Sequence, residues 1–370
     1  MVPKESGSTL MKAIIFAGGV GTRLWPLSRK KSPKQFEKIV GNKSTLQLSA
    51  HRLLPDFSWK DIYVSTGKTY VKTVQEQLPV IPPRNVIGEP DMRDVGPAVG
   101  LITSLLVTES PMEPMVILWS DHLVKNESLF RKILKAANDE VATNPDRIIF
   151  VSQKPRFASE NLGWIEYGKE RAKRADIPFY GFVDFQYRPD VGTAKRYFES
   201  GHHAWNLGYF VTTPQFLWKQ YARFAPNLYS SLKQIQSAWK TGTFDAVLQE
   251  VYPKLEKIHF DNAILEKLNP SQALVISENI GWSDIGAWEA LKEALQETDG
   301  KNVTQGKVLL TDTSDSLIYN YTNQMAVTID LEGFLVVNTG DVLLVCRKSS
   351  VGKIKKLVES MQGTENEYLT

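Results

Sequence analysis

The sequence predicts an α/β fold, a parallel sheet wrapped by helices, followed by a smaller β-rich part. Three observations carry that prediction. Through the first half, short apolar runs alternate with segments of helical period, the pattern of buried parallel strands joined by helices. From Lys301 the texture changes to short β-like runs separated by Asp, Asn and Gly. A chain of 370 residues also exceeds the roughly 250–300 that one hydrophobic core usually serves.

Each element has its own signal. Lys12 to Ala17 is a continuous apolar run ending in glycines, which reads as a buried strand. Ser44 and Thr45 cap a helix carrying Leu46, Leu48, Leu53 and Leu54. Strands follow at Asp61 to Ser65, Asn85 to Gly88, Met115 to Trp119 and Arg147 to Val151. Helices separate them at Tyr70 to Leu78, Gly96 to Thr108 and Glu127 to Val141. The stretch from Pro155 to Ile280 is more mixed and rich in aromatic residues, Trp164, Trp205 and Trp218 among them. Beyond it come β-like runs at Lys307 to Leu310, Ser316 to Tyr319, Met325 to Ile329, Phe334 to Val337 and Val342 to Val345, then an amphipathic helix from Val351 to Met361. The break near Glu297 to Gly300 divides the chain into a larger domain, 11–298, and a β-rich one, 299–370. Residues 1–10 are polar, precede a second Met, and read as an extension or leader.

Composition narrows the partners. Lys and Arg total 44 against 41 Asp and Glu, a net charge of +3, too weak for a nucleic-acid or acidic-membrane binder. No run approaches the ~20 apolar residues of a membrane span. The single cysteine, Cys346, forms no intrachain disulfide, lies in a strand-like run and reads as a small buried hydrophobe. Independence from oxidation favours a reducing compartment, the cytoplasm.

Ligands of parallel α/β sheets bind beyond the carboxyl ends of the strands. That directs attention to Gly18 onward, Glu89 and Asp121. Gly18-Gly19-Val20-Gly21-Thr22-Arg23 follows the first strand directly. Glycines let backbone amides approach an anion, and Arg23 adds a fixed cationic fork. Arg29, Lys30, Lys31 and Lys34 then make the loop densely positive, which suits a polyphosphate. The Walker loop is absent, because Gly67-Lys68-Thr69 has Ile62 where its first glycine belongs. The dinucleotide fingerprint fails at Leu24.

The run Ala17 to Ser28, with Leu24-Trp25-Pro26-Leu27-Ser28, followed by Pro33-Lys34-Gln35-Phe36, closely resembles the signature of sugar-1-phosphate nucleotidyltransferases, most of all the bacterial mannose-1-phosphate guanylyltransferases. Ser120-Asp121-His122, Trp205-Asn206-Leu207-Gly208, Phe260 to Lys267 and Gly281 to Trp288 extend the match along nearly the whole chain from Met11. The resemblance implies a Rossmann-like, mostly parallel mixed sheet flanked by helices, the nucleotide-diphospho-sugar transferase fold. It also implies a partial left-handed β-helix at the C-terminus and a homodimer. It implies transfer of GMP from GTP to a sugar 1-phosphate, with mannose 1-phosphate first.

The same resemblance implies the site. Arg23 and Lys34 would be catalytic, and Gly18, Gly19, Gly21, Thr22, Trp25, Glu89, Arg93 and Asp121 would bind the nucleotide. Asp121 and Asp284 would hold Mg²⁺, which neutralises charge at the α-phosphate. Read alone, each Asp is as well explained as a helix cap, Asp121 ahead of Leu123 to Phe130 and Asp284 ahead of Trp288 to Leu291. His122 reads as packed or capping, and His202-His203 as a loop or helix end. Gly163, Tyr187, Arg188 and Asn206 would meet the sugar phosphate. Here the family pattern is altered: its Glu-Lys-Pro becomes Tyr187-Arg188-Pro189, and its Arg-Asn-Thr becomes Arg93-Asp94-Val95. Tyr187 is no carboxylate, so Glu166 and Asp184 are candidates to recover a hydroxyl contact. A different sugar 1-phosphate (heptose or glucose) and a non-catalytic nucleotide-sugar-binding regulator therefore stay open as alternatives.

Overall fold

The structure, a computed structural model, describes residues 11–19 and 21–370. Residues 1–10, the expected leader, lie outside the described residues, as does Val20. The strands are β1 Lys12–Ala17, β2 Ile62–Gly67, β3 Val86–Glu89, β4 Met115–Trp119, β5 His122–Val124 and β6 Ile148–Gln153. They continue as β7 Gly163–Arg174, β8 Ile177–Tyr187, β9 His203–Thr212, β10 Ala273–Glu278 and β11 Trp282–Asp284. The last six are β12 Val303–Gln305, β13 Val308–Thr311, β14 Leu317–Asn320, β15 Ala326–Ile329, β16 Phe334–Asn338 and β17 Leu343–Arg347.

Two compact units result. The first comprises residues 11–17, Ala50–Trp119 and Lys125–Gly281. Its sheet runs in the order β3-β2-β1-β4-β9-β6-β10-β8-β7. The β3-β2-β1-β4 part is parallel, as the apolar runs predict. Strand β9 then enters antiparallel to both β4 and β6, and the β7–β8 hairpin continues the antiparallel edge. The sheet is therefore mixed, with its parallel half where sequence alternation is clearest. The helix Val95–Glu109 is buried along most of its length, as its unbroken apolar sequence requires, and packs with the helices Pro214–Phe224 and Pro226–Ser237. Asp94 caps it, its carboxylate accepting the Val95 N–H at 2.7 Å.

The second unit comprises residues 18–49 (Val20 aside), Ser120–Val124 and Trp282–Thr370. Strands β12, β14 and β16 stack in parallel, β13 pairs with β15 in parallel, and β17 closes antiparallel on β16. Alternate residues point inward: Leu317, Tyr319, Leu335 and Val337 are buried and join Leu24, Trp25, Ile285 and Trp288 in one core. Corners turn at residues with positive φ. At Gly306 (φ 83°) any Cβ would collide with the Asn320 carbonyl, so only glycine fits. Cys346 is half-buried on β17 rather than fully buried, and burial pushes its thiol upward. Among the described residues no helix is long and apolar enough to cross a membrane.

Candidate active site

The glycine loop leaves β1 and turns with Gly19 at φ 87° and Gly21 at φ 67°, conformations that disfavour any residue with a Cβ. A short 3₁₀ turn, Thr22–Leu24, follows. Neighbours fix the loop from inside: the buried Gln35 amide donates to the Gly19 carbonyl at 3.2 Å, and the Ser28 hydroxyl donates to the Gly21 carbonyl. Arg23 projects outward, with Nη2 only 3.1 Å from where a Cβ on Gly286 would stand.

Lys34 is 9% exposed, and its ammonium sits 2.6 Å from Asp121 Oδ2 and 3.3 Å from the Ile285 carbonyl. A small antiparallel ribbon delivers the second carboxylate. Strand β11 pairs with β5, setting Asp284 opposite His122, while the Ile285 N–H donates to the Asp121 carbonyl at 3.3 Å. Asp121 precedes a strand and Asp284 ends one; the nearby helices are capped by Asn126 and begin after Ala287. Neither aspartate is therefore a helix cap. His122 packs edge-on against Trp282, ring centroids 5.0 Å apart, as a packed histidine would.

The two carboxylates are tuned in opposite directions. Burial pushes Asp121 up, but the Lys34 charge and hydrogen bond, together with His122, outweigh it and hold the carboxyl well below the usual range. Burial and the Asp121 charge raise Asp284, and Lys34 and Arg23 offset only part of that. The result is a preformed cluster of one buried cation and two carboxylates. Hard carboxylate oxygens in this number are the donors Mg²⁺ prefers, alongside phosphate oxygens and water. Lys34 offsets one of the two carboxylate charges, that of Asp121.

Three expectations change. Arg29 is not free for an anion: its guanidinium pairs with both carboxylate oxygens of Asp341 at 2.7 Å and donates to the Pro26 carbonyl at 3.0 Å. Trp25 offers no face to a base. It is 4% exposed, donates its indole N–H to the Leu369 carbonyl at 2.8 Å, and accepts at its own carbonyl from Trp288. Glu166 and Asp184 do not join Tyr187. They pair with each other three rungs from Gly163–Tyr187, an odd offset that turns them to the opposite sheet face.

In the first unit, β7 lies between β8 and β9, and Gly163 pairs with both Tyr187 and Asn206. Arg188 follows, its N–H donating to the Leu162 carbonyl at 3.3 Å. The four residues expected to meet the sugar phosphate thus lie side by side on or next to the neighbouring strands β7, β8 and β9. The Asn206 side-chain oxygen Oδ1 accepts the Gly208 N–H at 3.0 Å, leaving its side-chain N–H₂ unused by that bond. Tyr187 is 60% exposed, and the Arg188 guanidinium lies over its ring at 5.0 Å. His203 stacks on Tyr197 at the start of β9, and His202 lies in the preceding bend.

Glu89 ends β3 as a held carboxylate. Ser65 donates to one oxygen at 2.9 Å and the buried Tyr252 to the other at 2.7 Å, while burial raises its pKa. Arg93 pairs with Asp91 at 2.8 Å, and its buried Nε has no hydrogen-bond partner among the described residues. Sequence reading missed Gln35, Gly286, Ser65 and Tyr252. Gln35 and Gly286 lie inside quoted motifs, whereas nothing local marks Ser65 or Tyr252.

Residues 12–300 match the model of the nucleotidyl transferase family, and 306–361 that of the MannoseP isomerase/GMP-like beta-helix domain. The chain is 31% identical over 358 residues to mannose-1-phosphate guanylyltransferase 2 of Escherichia coli O157:H7, covering 95% of this chain and 73% of that protein. It is 30% identical over 363 residues to the mannose-1-phosphate guanylyltransferase of Salmonella muenchen, covering 96% and 74%. A solved structure named mannose-1-phosphate geranyltransferase, from Thermus thermophilus, shares the fold with a TM-score of 0.85 at 24% identity, over 95% of this chain and 99% of that one. With a glycine loop, a buried lysine and paired aspartates on the same scaffold, the chain belongs to the nucleotidyl transferase family, among the mannose-1-phosphate guanylyltransferases.

Proposed function

We propose that the chain transfers GMP from GTP to α-D-mannose 1-phosphate, forming GDP-mannose and releasing pyrophosphate. The observation that carries the chemistry is the Lys34–Asp121–Asp284 cluster at the glycine loop. The choice of guanine and mannose rests on the named relatives.

A phosphate oxygen of the sugar 1-phosphate attacks the α-phosphorus in line. The bond from the α-phosphorus to the bridging oxygen breaks, and pyrophosphate leaves with that electron pair. The attacking oxygen is already ionised, so no general base is required. The backbone at Gly18, Gly19, Gly21 and Thr22 lines the triphosphate, and Arg23 with Lys34 stabilises the charge that develops on it. Asp121 and Asp284 would hold Mg²⁺, which when bound neutralises charge on the phosphates. Glu89 and Arg93 are assigned to the nucleoside, and Gly163, Tyr187, Arg188 and Asn206 to the sugar phosphate.

A homodimer is part of the proposal. Leu309, Val327 and Ile329 are all more than half exposed on the paired strands β13 and β15, an apolar face suited to a second copy. We place the chain in the cytoplasm, where its lone cysteine stays reduced. Light scattering tests the first point. Pyrophosphate release across a matrix of nucleoside triphosphates and sugar 1-phosphates tests the reaction. The expected best pair is GTP with mannose 1-phosphate, with no turnover in EDTA. Turnover confined to another pair overturns the assignment.

A further inference from the structure

The segment that carries Lys34 is gripped at both ends by the β-rich strands of its own unit. At one end Arg29 bridges the Pro26 carbonyl to the Asp341 carboxylate. At the other, the buried Tyr319 hydroxyl donates to the Ile39 carbonyl at 3.1 Å. Beside it, Tyr321 and Gln305 both donate to the Lys38 carbonyl at 3.3 Å. Three of these four side chains belong to strands β12 and β14 or the residue just after, and Asp341 to the turn before β17. Between the grips, Lys34 reaches Asp121 and Ile285, and Gln35 reaches Gly19.

We infer that Asp341 and Tyr319 are positioning residues for nucleotidyl transfer, acting through residues 26–39 to hold Lys34. The β-rich part is then a working element of the phosphate site. Among the described residues, neither bonds to the glycine loop. Their bonds end on Arg29 and on the Ile39 carbonyl, so each tests the segment and not the substrate contacts. A segment held at one end only would let the buried ammonium drift, and misplacement of about 1 Å at a reacting centre costs up to about 100-fold in rate.

The inference rests on the assignment of Lys34 to the triphosphate. Its test uses the whole chain with Asp341→Ala, Tyr319→Phe, the double variant, and the swap of Arg29→Asp with Asp341→Arg. Pyrophosphate release should show kcat falling about 5-fold in each single variant and about 20-fold or more in the double, with the KM for mannose 1-phosphate within about 2-fold. Amide exchange in residues 26–39 should quicken about 10-fold while β1 and β4 stay protected. The swap should restore most of the kcat lost in Arg29→Asp alone. Unchanged exchange and unchanged kcat in the double variant overturn the inference. So does a fall in kcat fully accounted for by a lower folded fraction. A wild-type chain inactive with GTP and mannose 1-phosphate sinks only the substrate assignment, because exchange reads the grip without substrate.

Discussion

The cluster assigned to the phosphates and the strands assigned to the sugar are built on opposite terms. Lys34 is buried and paired with Asp121, while Gln35 and Ser28 tie down the Gly19 and Gly21 carbonyls. Tyr187 is exposed and its chief contact is Arg188, which is itself exposed. The difference follows from what each end must do. Charge developing on a phosphate is stabilised most by donors that need no reorganisation, so rigidity there lowers the barrier. A sugar is discriminated by a few hydrogen bonds, and an adaptable rim alters the substrate without altering the chemistry. Tyr187 and Arg188, which stand where the resemblance implies Glu and Lys, both fall at this exposed rim.

The largest expected effect comes from removing the buried cation. Lys34→Met keeps most of the side chain's length but leaves Asp121 without its ammonium partner. We expect kcat to fall by about 10²–10³-fold, with a smaller change in the KM for the sugar phosphate. Pyrophosphate release under saturating GTP measures it. Equal losses in Lys34→Met and in a sugar-side variant would erase the contrast between the two ends.

Next comes the backbone under the lysine. A Cβ at Gly21 would stand 2.7 Å from Lys34 Cγ and Cδ, at a residue whose φ is 67°. Left-handed backbone costs an alanine roughly 1–2 kcal/mol, and the lysine stem must shift as well. Gly21→Ala should therefore lower kcat by about 10–100-fold. Gly286→Ala, which crowds Arg23 at 3.1 Å, should cost several-fold less. Steady-state kinetics of the pair rank the two contacts.

How far the sequence carries differs between the same two regions. Strands β1 and β4 fall where their apolar runs put them, and Ser120-Asp121 emerges at the predicted strand end. Strand β9 was not legible. It enters the sheet antiparallel, and an irregular register opposite Val151 and Ser152, with Gly208 at φ 69°, breaks its alternation. The meeting of Asp121 with Asp284 was legible only through the family resemblance, since β5 and β11 have three residues each and pair across the chain. Arg29 looked like part of the anion site because local charge density does not disclose a partner as remote as Asp341. Trp25 looked available to a base because a motif names a residue without saying which way it faces.

The aspartate pair gives a subtler test, in stability. Asp284 has a raised pKa from burial, so the folded chain holds its proton more tightly than the unfolded chain. Its ionisation thus costs stability as pH rises through the interval between the ordinary carboxylate value and the raised one. Asp121 is depressed, so its contribution is present above the ordinary value, near 4, and is lost as pH falls below it. Thermal melts without metal should show Asp284→Asn more stable than wild type at pH 7, with the gap closing on acidification. Asp121→Asn should be less stable at pH 7. A pair of melts shifting in the same direction at pH 7 would show that the two carboxylates are not oppositely tuned.

The smallest effects belong to the sugar side, and their size is what makes them informative. Arg188 has φ 46°, uncommon for a residue with a side chain, and its backbone N–H is tied to Leu162. Among the described residues its guanidinium is held only by the Tyr187 ring, and exposed interactions of this kind are worth about 0.5–1 kcal/mol. Arg188→Ala should therefore raise the KM for mannose 1-phosphate about 3–10-fold, the lost phosphate contact included, and leave kcat within about 2-fold. Tyr187→Phe retains the ring under the guanidinium and should change KM by less than about 2-fold, whereas Tyr187→Ala should approach the effect of Arg188→Ala. The ordering Ala above Phe identifies the ring face, not the hydroxyl, as the working part of Tyr187. A Tyr187→Phe variant as impaired as Tyr187→Ala would instead place the phenol on a sugar hydroxyl, and the rim would then be a fixed donor set like the phosphate end.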